Sequence, residues 1–158
     1  MKKTLLALAL IGASSTAFAD SWIYGGASVG SVDLEGNSGT AYNVHVGTGL
    51  LPIIGVEAGY NKFQDIDDMG NTKIDDTYVA LKPSINLGPL QVYGKAGLHR
   101  WDASYNNGTS DDGYDTMYGV GADYAVFGPV SIGANFMNYV IDGDNAKTYS
   151  LTVSINLL

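Results

Sequence analysis

The chain of 158 residues contains no cysteine. That removes a disulfide scaffold, a thiol nucleophile and a thiolate metal site together. Charge is scarce as well: 15% of the residues are Asp, Glu, Lys or Arg, with eight cations against sixteen carboxylates. An acidic balance of this size argues against a nucleic-acid partner, whose phosphates need neutralising cations. Four prolines are too few for a proline-rich linker, and the 21 glycines follow no collagen period, although they are about twice the usual ~7% share. Nowhere does an apolar run reach the roughly 20 residues that a spanning helix requires.

What is present begins with an export signal. Met1-Lys2-Lys3 is a basic head, Thr4 to Ile11 is apolar, and Ala17-Phe18-Ala19 is a small-x-small cleavage site. Cleavage after Ala19 is expected, leaving 20–158 as one mature domain. That domain keeps six cations against sixteen carboxylates, a net charge of -10.

The rest of the chain is written with a period of two. In the last strand Tyr149, Leu151, Val153, Ile155 and Leu157 alternate with Thr148, Ser150, Thr152, Ser154 and Asn156. Seven earlier segments repeat the pattern, which predicts eight strands with one apolar and one polar face each. Leu51-Pro52, Gly88-Pro89 and Gly128-Pro129 mark tight turns, whereas the segments around 33–40, 64–76, 102–113 and 142–146 read as long and polar. Short turns on one rim and long loops on the other describe an eight-stranded antiparallel up-and-down transmembrane β-barrel. The polar faces support this reading, because Gly, Tyr, Ser and Asn dominate them and Glu57, Lys82, Lys95, Asp123, His45 and His99 are their ionisable residues in mid-strand. The apolar faces carry no mid-strand charge, as contact with hydrocarbon demands.

Trp22-Ile-Tyr-Gly-Gly-Ala-Ser-Val-Gly30, Gly55-Val-Glu-Ala-Gly-Tyr60, Tyr93-Gly-Lys-Ala-Gly97 and Tyr118-Gly-Val-Gly-Ala-Asp-Tyr124 give the chain its family look. Over residues 21–158 it resembles the OmpA-like small outer-membrane barrels, which include the OmpX and Ail type. The resemblance implies a monomer in the bacterial outer membrane, surrounded by lipid and lipopolysaccharide and inserted by the barrel assembly machinery. That machinery reads a terminal aromatic residue in the family, whereas this chain ends Ile155-Asn156-Leu157-Leu158. A structural or surface role follows from the likeness, with an adhesin of the OmpX and Ail type as the alternative.

Eight strands around a small barrel enclose side chains, not an aqueous pore. Pairing across the Gly88-Pro89 turn sets residues whose numbers sum to 177 opposite each other, so Lys82 faces Lys95. Glu57 and Asp123 stand at comparable distances from their own turns, predicting an interior row Glu57, Lys82, Lys95, Asp123 that acts as a structural plug, with a small pore as the competing reading. Lys62 and Arg100 lie on the apolar face near the loop rim and are candidate lipopolysaccharide contacts. Tyr42, Tyr60, Tyr118 and Tyr149 form an aromatic girdle beside them.

Thirteen of the sixteen carboxylates are assigned to the loops. Asp65, Asp67, Gly70 and Asp76 partly match a calcium loop, but Met69 and Lys73 occupy would-be ligand positions, so no metal or other cofactor is expected. Lipid A deacylases resemble this architecture and need a serine beside a histidine. His45 and His99 lack one at the required spacing, and the parity of Asp102 separates it from His99, so no catalytic residues are assigned and the protein is expected not to be an enzyme.

Overall fold

The computed structural model describes residues 23–34, 36–51, 53–66, 72–104, 108 and 110–157, without the side chains of 50, 51, 65, 66 and 72. The signal segment 1–19, Trp22, Pro52, residues 67–71, which hold much of the partial calcium-loop match, and residues 105–107 lie outside the described residues. Eight strands make up the fold: β1 (Ile23–Leu34), β2 (Asn37–Leu51), β3 (Ile54–Ile66), β4 (Thr72–Leu87), β5 (Leu90–Ser104), β6 (Ser110–Phe127), β7 (Val130–Ile141) and β8 (Asp144–Leu157). Each pairs antiparallel with the next, and β1 closes on β8. Closure leaves no sheet edge along the body of the barrel and satisfies the ladder internally, the condition for a sheet in lipid.

On the near rim Leu87 pairs with Leu90 across Gly88-Pro89, and Phe127 with Val130 across Gly128-Pro129. Gly88 and Gly128 have φ of 66° and 52°, which glycine adopts without a Cβ clash. The far rim corrects two expectations. Segments 33–40 and 142–146 are not long loops, since Leu34 pairs with Asn37 and Ile141 with Asp144, leaving two residues at each tip. Asp142-Gly143, with φ of 52° and 89°, supplies the two positive dihedrals that a tight hairpin with right-handed strand twist requires.

The strands therefore run further than their apolar faces. Asp75 and Asp76 belong to β4, Asp102 to β5, and Asp111, Asp112 and Asp115 to β6, instead of to loops. Register shifts occur at Gly49/Leu51, Phe63/Ile66 and Ala125/Phe127; between them the inward and outward sides keep alternating, but the polarity of the two faces reverses partway up. Near the turns the outward residues are apolar, for example Val46, Leu98 and Leu151 at 63%, 65% and 70% exposure. Beyond Val29, Tyr42, Tyr60, Val79, Leu98, Tyr118 and Tyr149 the outward positions become Ser31, Thr40, Lys62, Thr77, Arg100, Thr116 and Lys147.

The interior changes in the opposite sense. Its near half holds Tyr24, His45, Glu57, Lys82, Lys95 and Asp123, all buried. Its far half is an apolar plug of Val32, Leu34, Phe63, Ile74, Trp101, Met117, Met137, Tyr139 and Ile141 with small alanines. The interior aromatics lie over glycines of the neighbouring strand. Tyr24 is paired with Gly47, Tyr78 with Gly59, and a Cβ at either glycine would fall within 2.6 Å of the tyrosine ring. Glycine is thus a packing requirement here, giving each ring room to lie across the lumen.

Candidate functional site

The register places Leu81 opposite Ala96 and Ser84 opposite Tyr93, which sets Lys82 level with Lys95 on adjacent strands. Glu57 pairs laterally with Ala80 and Asp123 with Gln91, so the four charged residues do not form a straight ladder row. They meet across the lumen instead. Lys95 Nζ donates to Glu57 Oε1 at 2.5 Å, and Lys82 Nζ lies 3.7 Å from both Glu57 Oε2 and Asp123 Oδ2. Lateral order alone would pair each lysine with the carboxylate on its own flank. Strand stagger and the reach of the lysine stems give a different pattern, in which Lys82 bridges the two carboxylates and Lys95 crosses over β4 to Glu57.

Glu57 is fully buried and sits at the centre of the cluster. It also accepts from Tyr24 Oη at 2.9 Å and Tyr78 Oη at 2.6 Å. Lys82 stands 4.5 Å and 4.1 Å from the ring centroids of Tyr24 and Tyr93, so the aromatic faces supply attraction where solvent is excluded. Two ammonium groups and two carboxylates balance, and that balance is what a low-dielectric site needs to hold ions.

Further along lies a second polar group. Asp76 accepts from Asn61 Nδ2 at 2.5 Å and meets His99 Nδ1 at 2.7 Å, while His99 Nε2 lies 2.8 Å from the Val140 carbonyl. Both ring nitrogens face oxygen atoms, an arrangement that the protonated ring, with its two N–H groups, satisfies in full. Asn43 Nδ2 donates to Asn61 Oδ1 at 2.8 Å and reaches Tyr78 Oη at 3.4 Å, joining this group to Glu57. A small cavity between the two groups is lined by Ser28, Asn43, Asn61, Lys95, Asn135 and Thr148, among others. Among the described residues no cluster has the composition of a metal site.

A family model for the outer membrane protein beta-barrel domain matches residues 4–157. The chain belongs to this outer-membrane barrel family. Neisserial surface protein A has a similar structure, with 15% identity, 85% of this chain and 96% of that one covered, and a TM-score of 0.69. The Yersinia pestis attachment invasion locus protein Ail, solved in complex with the heparin analogue sucrose octasulfate, has 16% identity, coverage of 84% and 95%, and a TM-score of 0.57. The outer membrane enzyme PagL has 18% identity, coverage of 84% and 98%, and a TM-score of 0.55. A search of curated proteins by sequence finds no match.

The bacterial outer membrane is therefore the setting of this barrel, and the near-rim apolar wall faces its hydrocarbon. Tyr42, Tyr60, Tyr118 and Tyr149 mark the upper edge of that wall, and all four are exposed. Above them runs a polar collar in which Lys62 pairs laterally with Asp75, Asp75 with Asp102, and Asp102 with Asp112. Like charges directly opposite each other repel. Arg100 relieves the repulsion, its guanidinium lying 3.7 Å from Asp102 and 3.5 Å from Asp112, with its centre 5.6 Å from the Tyr114 ring centroid. The Tyr60 hydroxyl donates to Asp75 on the other side of the collar.

His99 points inward, and its carboxylate partner is Asp76, while Asp102 sits outside with Arg100. Asp76, which belongs to the partial calcium-loop match, is taken up inside the barrel by Asn61 and His99. The signal that finds this pair is parity, since Asp76 shares the inward face of β4 with Tyr78 and Lys82. Assigning it to a loop hid that relation.

Proposed function

We propose that the protein is a closed structural barrel of the cell surface, exported by cleavage after Ala19, inserted by the barrel assembly machinery and active as a monomer. Its collar, with Lys62 and Arg100 just above the tyrosine girdle, is the part that meets lipopolysaccharide headgroups. The observation that carries the reading is the filled lumen, in which a balanced Glu57, Lys82, Lys95 and Asp123 cluster sits beneath an apolar plug. Such a cluster acts as a plug, and the test is conductance in a planar bilayer. Refolded protein is expected to give no steady single-channel steps, and regular steps would overturn the closed reading.

The same interior argues against catalysis. His45 and His99 are buried inside the wall, at 5% and 1% exposure, away from any acyl chain outside it. An adhesin role is the second reading, favoured by the tall β5–β6 hairpin whose Tyr114 is 74% exposed. A sulfated polyanion such as that bound to Ail fits poorly here, because the far rim presents Asp102, Asp111, Asp112 and Asp144 to solvent.

A further inference from the structure

The β6–β7 ladder stops at Met117 and Tyr139, although β6 continues to Ser110 in full pairing with β5. On the other side, β1 ends at Leu34 opposite Ala146. Among the described residues the tip of the β7–β8 hairpin, residues 140–145, thus has no ladder partner on either flank. It is held from inside the barrel by side chains. His99 Nε2 donates to the Val140 carbonyl at 2.8 Å, and Asp142 N donates to Asp115 Oδ2 at 3.2 Å. The same Asp115 oxygen accepts Trp101 Nε1 at 3.1 Å, and Ile141 and Ala146 pack into the apolar plug.

We propose that this tip is a lid over the outer mouth of the barrel, latched by His99 and Asp115, and that it loosens when His99 loses its proton. A neutral imidazole has one N–H, so it can serve Asp76 or Val140 but not both. Latching is complete while the ring is protonated and is lost as pH rises. The groups facing His99 are Asp76 on β4, Asp115 on β6, the Tyr139 phenol and Val140 carbonyl on β7, and, through Asp76, the neutral Asn61 on β3. Asp76 and Asp115 are the carboxylates beside the ring, and among the described residues no other cation is paired with it. Beneath the lid lies the apolar plug, to which Ile141 and Ala146 contribute, so opening exposes the outer end of that plug to solvent.

The test is hydrogen exchange by mass spectrometry on the refolded protein, comparing amides 140–145 with those of the β1–β8 ladder. Ala146→Cys adds a second measurement, because that position is buried at the base of the tip and the chain has no cysteine of its own to react with a membrane-impermeant thiol reagent. In His99→Phe and Asp115→Asn, tip exchange and labelling of the thiol introduced at position 146 are each expected to rise by about tenfold or more, the loss of one net hydrogen bond of roughly 1.4 kcal/mol, while ladder exchange stays unchanged. The wild-type tip should respond to alkaline buffer in the same way once the general base dependence of exchange, read from the ladder, is divided out. Equal acceleration of tip and ladder would mean global loosening and would overturn the lid. So would an unchanged tip in both variants. His99→Gln, which keeps a donor group that does not titrate, covers the case in which the phenylalanine variant fails to fold; it should give a tip insensitive to pH, and a persisting pH response would remove His99 from the latch.

Discussion

Two stretches of the same strands, a few residues apart, follow opposite rules. Beside the hydrocarbon, β5 points Lys95 into the lumen and Ala96 outward; further up it points Trp101 and Ala103 inward and Asp102 outward. The pleat does not change between them. What changes is the medium outside the wall, so apolar side chains move to whichever face is farther from water. In the membrane that face is the exterior, and above it the interior. Stability then has two separate sources: a neutralised ion cluster below, whose members depend on each other, and a packed core above, which behaves like that of a soluble protein.

The lower half offers the largest break. Glu57→Leu removes the carboxylate that both lysines and two tyrosines share, leaving ammonium groups buried without compensation. A loss of about 3–5 kcal/mol is expected, read from urea unfolding of the refolded protein. Adding Lys95→Met to that variant should recover part of the loss, because the surviving Lys82 keeps Asp123 at 3.7 Å. If the double variant were less stable than the single one, the cluster would not be the coupled unit described above.

The position of the boundary is sharpened by placing one cation on the outer wall at two heights. Val120→Arg sets a guanidinium against hydrocarbon and should cost about 2–4 kcal/mol. Thr40→Arg, on the polar collar, should stay within about 0.5 kcal/mol, as solvent-exposed substitutions do. Equal costs at the two sites would place the boundary elsewhere.

The period-two pattern made the lower half legible, because the outward faces of Ile54 to Tyr60 and of Tyr149 to Leu157 alternate without a break. It also gave the register that puts Lys82 beside Lys95. The upper half was harder to see for a physical reason. Once the faces exchange polarity, Val32, Phe63 and Trp101 no longer read as part of a strand with an apolar outside, and aspartates such as Asp102 and Asp112 read as loop residues. Continuing the parity past the reversal recovers both, including the inward Asp76. The convergence of both lysines on Glu57 was not legible, since it depends on reach across a closed lumen and not on lateral register. Asp142-Gly143 was a strong hairpin signal, and its polar neighbours masked it.

The smallest effect belongs to the collar. Arg100 makes two ion pairs at 3.7 Å and 3.5 Å with about half of its side chain in solvent, and it also stacks near Tyr114. Exposed pairs contribute about 0–1 kcal/mol, so Arg100→Ala should lower stability by no more than about 1 kcal/mol in low salt, fading as salt screens the remaining aspartates. Removal leaves Asp102 and Asp112 directly opposed, and Asp112→Asn on that background should therefore restore most of what was lost. Measured in detergent and again in lipopolysaccharide-containing bilayers, the same substitution separates the collar's two duties: a similar small loss in both assigns Arg100 to charge balance alone, whereas a loss several-fold larger in the bilayer assigns it to the headgroups.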